Sequence, residues 1–179
     1  MIQFGTGGWR AVIGDGFTRE NIQKVATALG RRIRREGVER EICIGYDRRF
    51  LSREAAIWFT EAIMGEGVKV DFINLSAPTP QIMFTAKTRN LPYAAAITAS
   101  HNPALYNGIK LFTRGGRDAV QEITDAIQAE ANALADDPAA QCRGDPLDVR
   151  PRKLIPDDGA PAAGTELNHM LTPPPGGSP

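Results

Sequence analysis

Ala94-Ala95-Ala96-Ile97-Thr98-Ala99-Ser100-His101-Asn102-Pro103-Ala104-Leu105-Tyr106-Asn107-Gly108-Ile109-Lys110-Leu111-Phe112 reads as a strand, a forced turn and a returning strand. Ala94 to Thr98 is a small-residue apolar run of the kind a buried strand carries. Asn102-Pro103 drives the chain out of that strand and into a turn. The first strand therefore delivers the Ser100 hydroxyl to its carboxyl end, where open α/β sheets hold ligands. Asn107-Gly108 turns the chain back, and Gly108 to Phe112 forms the second strand. On it Lys110 lies on the face opposite Ile109 and Leu111. A cation stands near the Ser100 hydroxyl if that face looks toward the loop.

Working outward, helices and strands alternate on both sides of this stretch. Thr18 caps a helix whose Ile22, Val25, Ala26, Leu29 and Ile33 keep helical spacing, and Gly37 ends it. Glu41 to Tyr46 is a short buried strand. Ser52 opens a second helix with Ala55, Ala56, Phe59, Ala62 and Ile63 on one side, stopped near Gly65 and Gly67. Val68 to Ile73 is the next strand, and Pro78 and Pro80 break the backbone before a short helix around Gln81 to Lys87. Gly115-Gly116 turns the chain into a last helix carrying Val120, Ile123, Ile127, Ala131 and Leu134. Such alternation implies a layered α/β domain with a mainly parallel sheet.

Beyond Leu134 the character changes. Nine of the 13 prolines lie in 136–179, and none of the 12 aromatic residues does. A segment so interrupted, and without aromatics, buries too little apolar area to offset its ordering entropy, so disorder is expected over 136–179.

The composition, 42% apolar and 23% charged, is that of an ordinary soluble α/β domain. No apolar run approaches the roughly 18 residues of a membrane helix, and the first residues lack the basic and apolar regions of a signal peptide. Cys43 and Cys142 are far apart and without metal-ligand spacing, so a reducing cytoplasm is the expected location. The net charge is zero, divided as +3 over 1–135 (17 Lys/Arg, 14 Asp/Glu) and −3 over 136–179 (4 and 7). A mildly positive body suits an anionic small molecule and gives no argument for nucleic acid. The one basic run, Arg31-Arg32-Ile33-Arg34-Arg35, lies near a helix end where cations are favoured and reads as a solvated face.

Thr98-Ala99-Ser100-His101-Asn102-Pro103, together with Tyr106-Asn107-Gly108-Ile109-Lys110, resembles the active-site loop of the α-D-phosphohexomutases. Three more stretches agree in order and spacing: Phe4-Gly5-Thr6-Gly7-Gly8-Trp9-Arg10-Ala11, Gly45-Tyr46-Asp47-Arg48-Arg49-Phe50-Leu51-Ser52 and Pro78-Thr79-Pro80. The resemblance covers about residues 2–135. It implies a three-layer α/β/α domain, the family's first, with a mixed, mainly parallel sheet over 1–135. It also implies phosphoryl transfer between the 1- and 6-positions of a hexose phosphate, through a phosphoserine and a hexose 1,6-bisphosphate intermediate. Ser100 matches the phosphoserine, whose phosphate in the family also helps hold Mg²⁺, with glucose 1,6-bisphosphate as activator. His101 and Lys110 match the candidates for the base that the attacking hydroxyl needs. Arg10 matches an arginine that steadies the phosphoserine, a task suited to a guanidinium fork, and Asn102 matches a loop residue beside the phosphate. Asp47 and Arg49 read as residues holding a turn.

The resembled enzymes have four domains around one cleft, the second bringing an Asp-Gly-Asp-x-Asp-Arg metal loop. No such loop occurs in this sequence, and neither Asp157-Asp158-Gly159 nor Gly164-Thr165-Glu166 replaces the missing parts. The expectation is a truncated or partial enzyme, not competent alone, with a hexose phosphate substrate and a complementing chain as partners. The alternative is a single domain that accepts phosphate or binds a partner without turnover. A serine hydrolase is disfavoured because there is no Gly-x-Ser-x-Gly elbow and His101 adjoins Ser100.

Overall fold

Thr18 accepts a hydrogen bond from the Asn21 N–H through its side chain, and α1 (Arg19–Glu36) follows with Ile22, Val25, Ala26, Leu29 and Ile33 all buried. Gly37 ends it in the left-handed conformation, φ 64°. This cap, stripe and stop agree with the sequence reading. The computed structural model describes residues 1–5 and 7–134. The disorder expected for 136–179 lies outside the described residues.

Ten further elements complete the domain: β1 (Phe4–Gly5), β2 (Gly8–Val12), β3 (Glu41–Tyr46), α2 (Ser52–Gly65), β4 (Lys69–Phe72), α3 (Thr79–Thr88), β5 (Tyr93–Ile97), β6 (Tyr106–Thr113), β7 (Arg117–Asp118) and α4 (Gln121–Ala133). The strands form one sheet in the order β1-β2-β6-β5-β3-β4, with β7 also on β6. The sheet is mixed, as expected, but its parallelism needs a correction. Five of the seven strands run the same way, yet only the β3–β4 and β3–β5 ladders are parallel. The other four are antiparallel: β6 returns directly from β5 through the Ser100 loop and inserts between β5 and β2, and β1–β2 and β6–β7 are joined by short turns. A return that short cannot make a parallel crossover.

On one face α1, α2 and α4 pack over Ile42, Ile44, Ala95, Ile97, Ile109 and Leu111 with Phe59 and Ile63. On the other, α3 sets Ile82 and Ala86 against Cys43, Ala94, Ala96 and Phe112. The three layers are thus α/β/α. A fully buried side chain such as Phe59 contributes about 1.5–3 kcal/mol, so the larger cluster carries most of the domain's stability.

Local differences from the sequence reading have local causes. Pro80 does not break α3 but occupies its first turn, where the missing N–H costs nothing. Gly115-Gly116 leads first into β7, and Val120 stands exposed at the N-terminus of α4. The basic run on α1 is more than a solvated face: Arg31 and Arg34 both meet the buried Glu66, Arg32 meets Glu36, and Arg35 meets Glu130.

Candidate active site

The register places the Ser100 loop at the carboxyl end of the sheet. The Thr98 N–H donates to the Gly108 carbonyl, extending the β5–β6 ladder, and the Asp47 N–H donates to the Ile97 carbonyl, extending β3–β5. Two loops therefore leave the same edge side by side, 47–51 from β3 and 98–105 from β5. Between them lies an open cleft of about 600 Å³ lined by Asp47, Arg48, Arg49, Phe50, Ser100, Asn102 and Ala104.

Ser100 is exposed and left-handed, φ 55°. Leu51, in the other loop, has φ 66°, so two of the three non-glycine residues with positive φ among the described residues flank this cleft. Such backbone costs roughly 1–3 kcal/mol per residue and persists where surrounding contacts impose it. Here the contacts are visible. The Thr98 hydroxyl accepts from the Ser100 N–H (2.9 Å), and the Asn102 N–H donates to the Ala99 carbonyl (3.1 Å). Arg49 donates to the carbonyls of Ser100 (2.7 Å), Asn102 (2.6 Å), Pro103 (3.0 Å) and Tyr106 (3.1 Å).

A second set of bonds ties the loops together underneath. Asp47 Oδ1 accepts from the Arg49 N–H (2.9 Å) and the Ser52 hydroxyl (2.7 Å). The fully buried Asn107 donates from Nδ2 to Ser52 Oγ (2.8 Å) and the Phe50 carbonyl (3.1 Å), and its Oδ1 accepts from the Gly108 N–H (2.8 Å). No buried side-chain polar atom among the described residues lacks a partner.

The expected site residues are only partly gathered. His101 Nδ1 lies 3.4 Å from Ser100 Oγ, a long contact. Asn102 enters the cleft beside Ser100. Arg10, on β2 opposite Gly108, donates to the Gly7 carbonyl (3.3 Å) and pairs with no carboxylate among the described residues. Its stem crosses β6 where Gly108 has no side chain. A Cβ there would stand 3.0 Å from both Arg10 Cγ and the Thr98 carbonyl, and closer still to the Trp9 carbonyl. Glycine at 108 thus lets the guanidinium stem pass close to the start of the Ser100 loop. Lys110 is not brought to the hydroxyl. Its ammonium bonds Asp118 (2.9 Å) and lies 5.5 Å from the Phe112 ring centroid, toward the end of β6 remote from the loop.

Mg²⁺ would find too few ligands here. Among the described residues no three His, Cys, Asp or Glu side chains are grouped, and Asp47, the one carboxylate lining the cleft, is engaged by Arg49 and Ser52.

From the sequence Arg49 reads as holding a turn, Ser52 as a helix start and Asn107 as part of a turn, none of them as a tie between the two loops. The only available signal was the polar run Asp47-Arg48-Arg49 at the end of β3, and its meaning depends on β5 lying next to β3.

Known proteins share this fold and much of this sequence. The Staphylococcus haemolyticus phosphoglucomutase is 33% identical over 140 residues, spanning 74% of this chain and 26% of that protein. The Staphylococcus aureus phosphoglucomutase is 33% identical over 151 residues, 83% of this chain and 26% of the relative. The chain thus spans about a quarter of the length of these curated relatives. A crystal structure of a protein provisionally called a phosphomannomutase, from Thermus thermophilus, superposes with a TM-score of 0.69 at 34% identity, over 73% of this chain and 30% of that one. A Burkholderia thailandensis phosphoglucomutase/phosphomannomutase family protein shares the fold, with a TM-score of 0.65 at 20% identity over 74% of this chain and 31% of that one. Residues 1–137 match the family of phosphoglucomutase/phosphomannomutase α/β/α domain I, and the chain belongs to that family.

Proposed function

We propose that this chain supplies the phosphoserine of a phosphohexomutase, with Ser100 as the residue that carries the phosphoryl group. The observation that carries the reading is Ser100 itself, an exposed hydroxyl held in a left-handed conformation on a wired loop, beside a cleft lined by two arginines. In the forward half-reaction a hydroxyl of the hexose phosphate attacks the phosphorus on Ser100. The Ser100 Oγ–P bond breaks, a new sugar O–P bond forms, and the hydroxyl proton passes to a base. Ser100 Oγ takes up a proton as it leaves; it then attacks the other phosphorus of the hexose 1,6-bisphosphate, giving its proton to a base, and that sugar O–P bond breaks while the sugar oxygen takes up a proton. Such transfers depend on positioning and on neutralising charge more than on covalent help.

Arg10, having no carboxylate partner among the described residues, steadies the dianion on Ser100. Asn102 donates from its amide at the cleft wall. His101 is the better-placed candidate base, and Lys110 reaches the site only by leaving Asp118. Mg²⁺ would offset phosphate charge, held by the phosphoserine together with ligands that this chain lacks and the remaining domains would bring. Glucose 1,6-bisphosphate would act as activator by phosphorylating Ser100. Because the relatives are about four times as long, sustained turnover is expected only with the remaining domains present, as a complementing chain would supply them. Among the described residues no helix is long and apolar enough to cross a membrane. A cytoplasmic location is the one in which the buried free thiol of Cys43 would stay reduced.

The test is peptide mass spectrometry after incubation with glucose 1,6-bisphosphate. Label is expected on Ser100, lost entirely in Ser100→Ala and reduced in Arg10→Ala. Phosphate chiefly on Thr98 or Ser76 would reject the assignment.

A further inference from the structure

We infer that Arg49 is the positioning residue of the Ser100 loop: its guanidinium holds the peptide groups from Ser100 to Tyr106 in the one arrangement that presents the serine for phosphoryl transfer. This rests on the phosphoserine reading above for its chemistry, though not for its geometry.

Arginine has five N–H donors in a rigid planar fork, and here the four terminal ones donate to carbonyls while Nε faces Asp47. One terminal nitrogen donates to the carbonyls of Pro103 and Tyr106, the other to those of Ser100 and Asn102. Nε lies 3.5 Å from Asp47 Oδ2, and Asp47 Oδ1 holds the Arg49 backbone N–H. The side chain is 16% exposed. Four carbonyls of the stretch 100–106 thus converge on one cation. The four carbonyls are neutral and Asp47 offsets the charge, so what the guanidinium supplies to the loop is geometry.

Convergence also fixes which way the amides face. In a planar trans peptide the carbonyl and the following N–H point in opposite directions. With the Ser100 carbonyl turned to Arg49, the His101 N–H faces the other way, and it has no partner among the described residues. It remains an available donor at the residue next to the phosphorylated serine. Residue 103 is proline, so the peptide after Asn102 offers no competing N–H. A lysine at 49 would keep the charge, but one ammonium cannot reproduce a fork spanning four acceptors. The prediction that separates geometry from charge is therefore Arg49→Lys.

The experiment uses the 179-residue chain as wild type, Arg49→Lys, Arg49→Ala and Arg114→Lys. The last is a control, since Arg114 donates to a single carbonyl, that of Asn90, in another loop. Amide hydrogen exchange is read at Asn102 and Tyr106, whose N–H groups bond the Ala99 and Pro103 carbonyls. Ser100 labelling is read as a rate at saturating glucose 1,6-bisphosphate. Both Arg49 variants are expected to exchange at least about tenfold faster at those two amides, with β3 and β5 unchanged, as for a locally opened segment. Their labelling rates at saturation are expected to fall by at least about tenfold, the scale of a misplaced reacting group, and Lys is expected to do no better than Ala. Arg114→Lys should match wild type in both.

Wild-type exchange and labelling in Arg49→Lys would overturn the inference. Faster exchange across the whole sheet would also overturn it, since Arg49 would then be a general structural residue. If the wild-type chain takes no label even with a complementing chain present, the phosphoserine reading fails. The exchange measurements would still decide the role of Arg49.

Discussion

Strand β5 and the loop that follows it are built on opposite terms, with Thr98 as the boundary. From Tyr93 to Ile97 every residue is buried and the strand is bonded on both edges, to β3 and to β6. From Ser100 to Leu105 all but Asn102 are exposed, and the loop keeps its shape through bonds to side chains, above all Arg49. The slab behind is held redundantly, by many apolar contacts that can each be lost at a bounded cost. The loop depends on one guanidinium, with Asn107 and Ser52 beneath it. Stability and presentation of Ser100 therefore reside in different residues, and substitutions should separate them.

The largest loss of stability should come from Phe59→Ala. Phe59 is fully buried on α2 against the sheet, and truncating it should cost about 3–5 kcal/mol through lost burial and a residual cavity. A urea titration measures this. Under conditions where the variant remains folded, its Ser100 labelling should equal that of wild type. Slower labelling from the folded variant would break the separation.

Asn107→Ala should reverse the balance. It removes a donor from Ser52 and from the Phe50 carbonyl, and an acceptor from the Gly108 N–H, all in a fully buried position. Ser52 Oγ keeps its bond to Asp47 and Phe50 is an exposed residue, so the Gly108 N–H is the group left buried and unsatisfied, at about 1–3 kcal/mol. The same urea titration should therefore show a smaller loss than Phe59→Ala, while the amides of 98–107 exchange faster. If exchange in the loop is unaffected, Asn107 supports the slab alone and the two loops are not coupled through it.

The same contrast explains what could be read in advance. Helix α1 was legible because its signals are local: a threonine cap, apolar residues at helical spacing and a glycine stop. The bounds of β3 followed from a continuous apolar run. Strand β2 was not legible. Gly8-Trp9-Arg10-Ala11-Val12 has no alternation, and it becomes a strand only where Gly8 and Gly108 allow close backbone approach. The place of Ser100, on a loop at the carboxyl end of β5, was legible through the small-residue strand and the turn forced by Asn102-Pro103. The role of Arg49 was not, since its four acceptors are backbone carbonyls, which leave no trace in side-chain identity. It also requires β3 to lie beside β5, a neighbourhood that chain order does not reveal. For Lys110 the face of the strand could be read, but not the competition from Asp118, which arises from the later turn at Gly115-Gly116.

The smallest effect should arise at the far edge of the slab, at Asp71 on β4. This carboxylate is buried beside Cys43 and is bonded by Arg89, which also meets Glu41. Burial raises its pKa above the ordinary aspartate range, and the Arg89 guanidinium only partly offsets this. An acid with a raised folded-state pKa binds its proton more tightly folded than unfolded. Its contribution to stability is therefore greatest below the unfolded value of about 3.9, declines as pH rises through the folded value, and stays low above it. An asparagine side chain at this position does not titrate, so the stability of Asp71→Asn relative to wild type should increase with pH across that window and then level off. Glu61, raised chiefly by burial with Arg19 opposing, is common to both proteins and drops out of the difference. Urea midpoints of the two proteins from acid to neutral pH provide the measurement, and a difference that is flat or falls with pH would show that the carboxylate is not destabilised by burial. Ser100 labelling at neutral pH should be the same in both, because neither Asp71 nor Arg89 shares a bond with the two loops of the cleft.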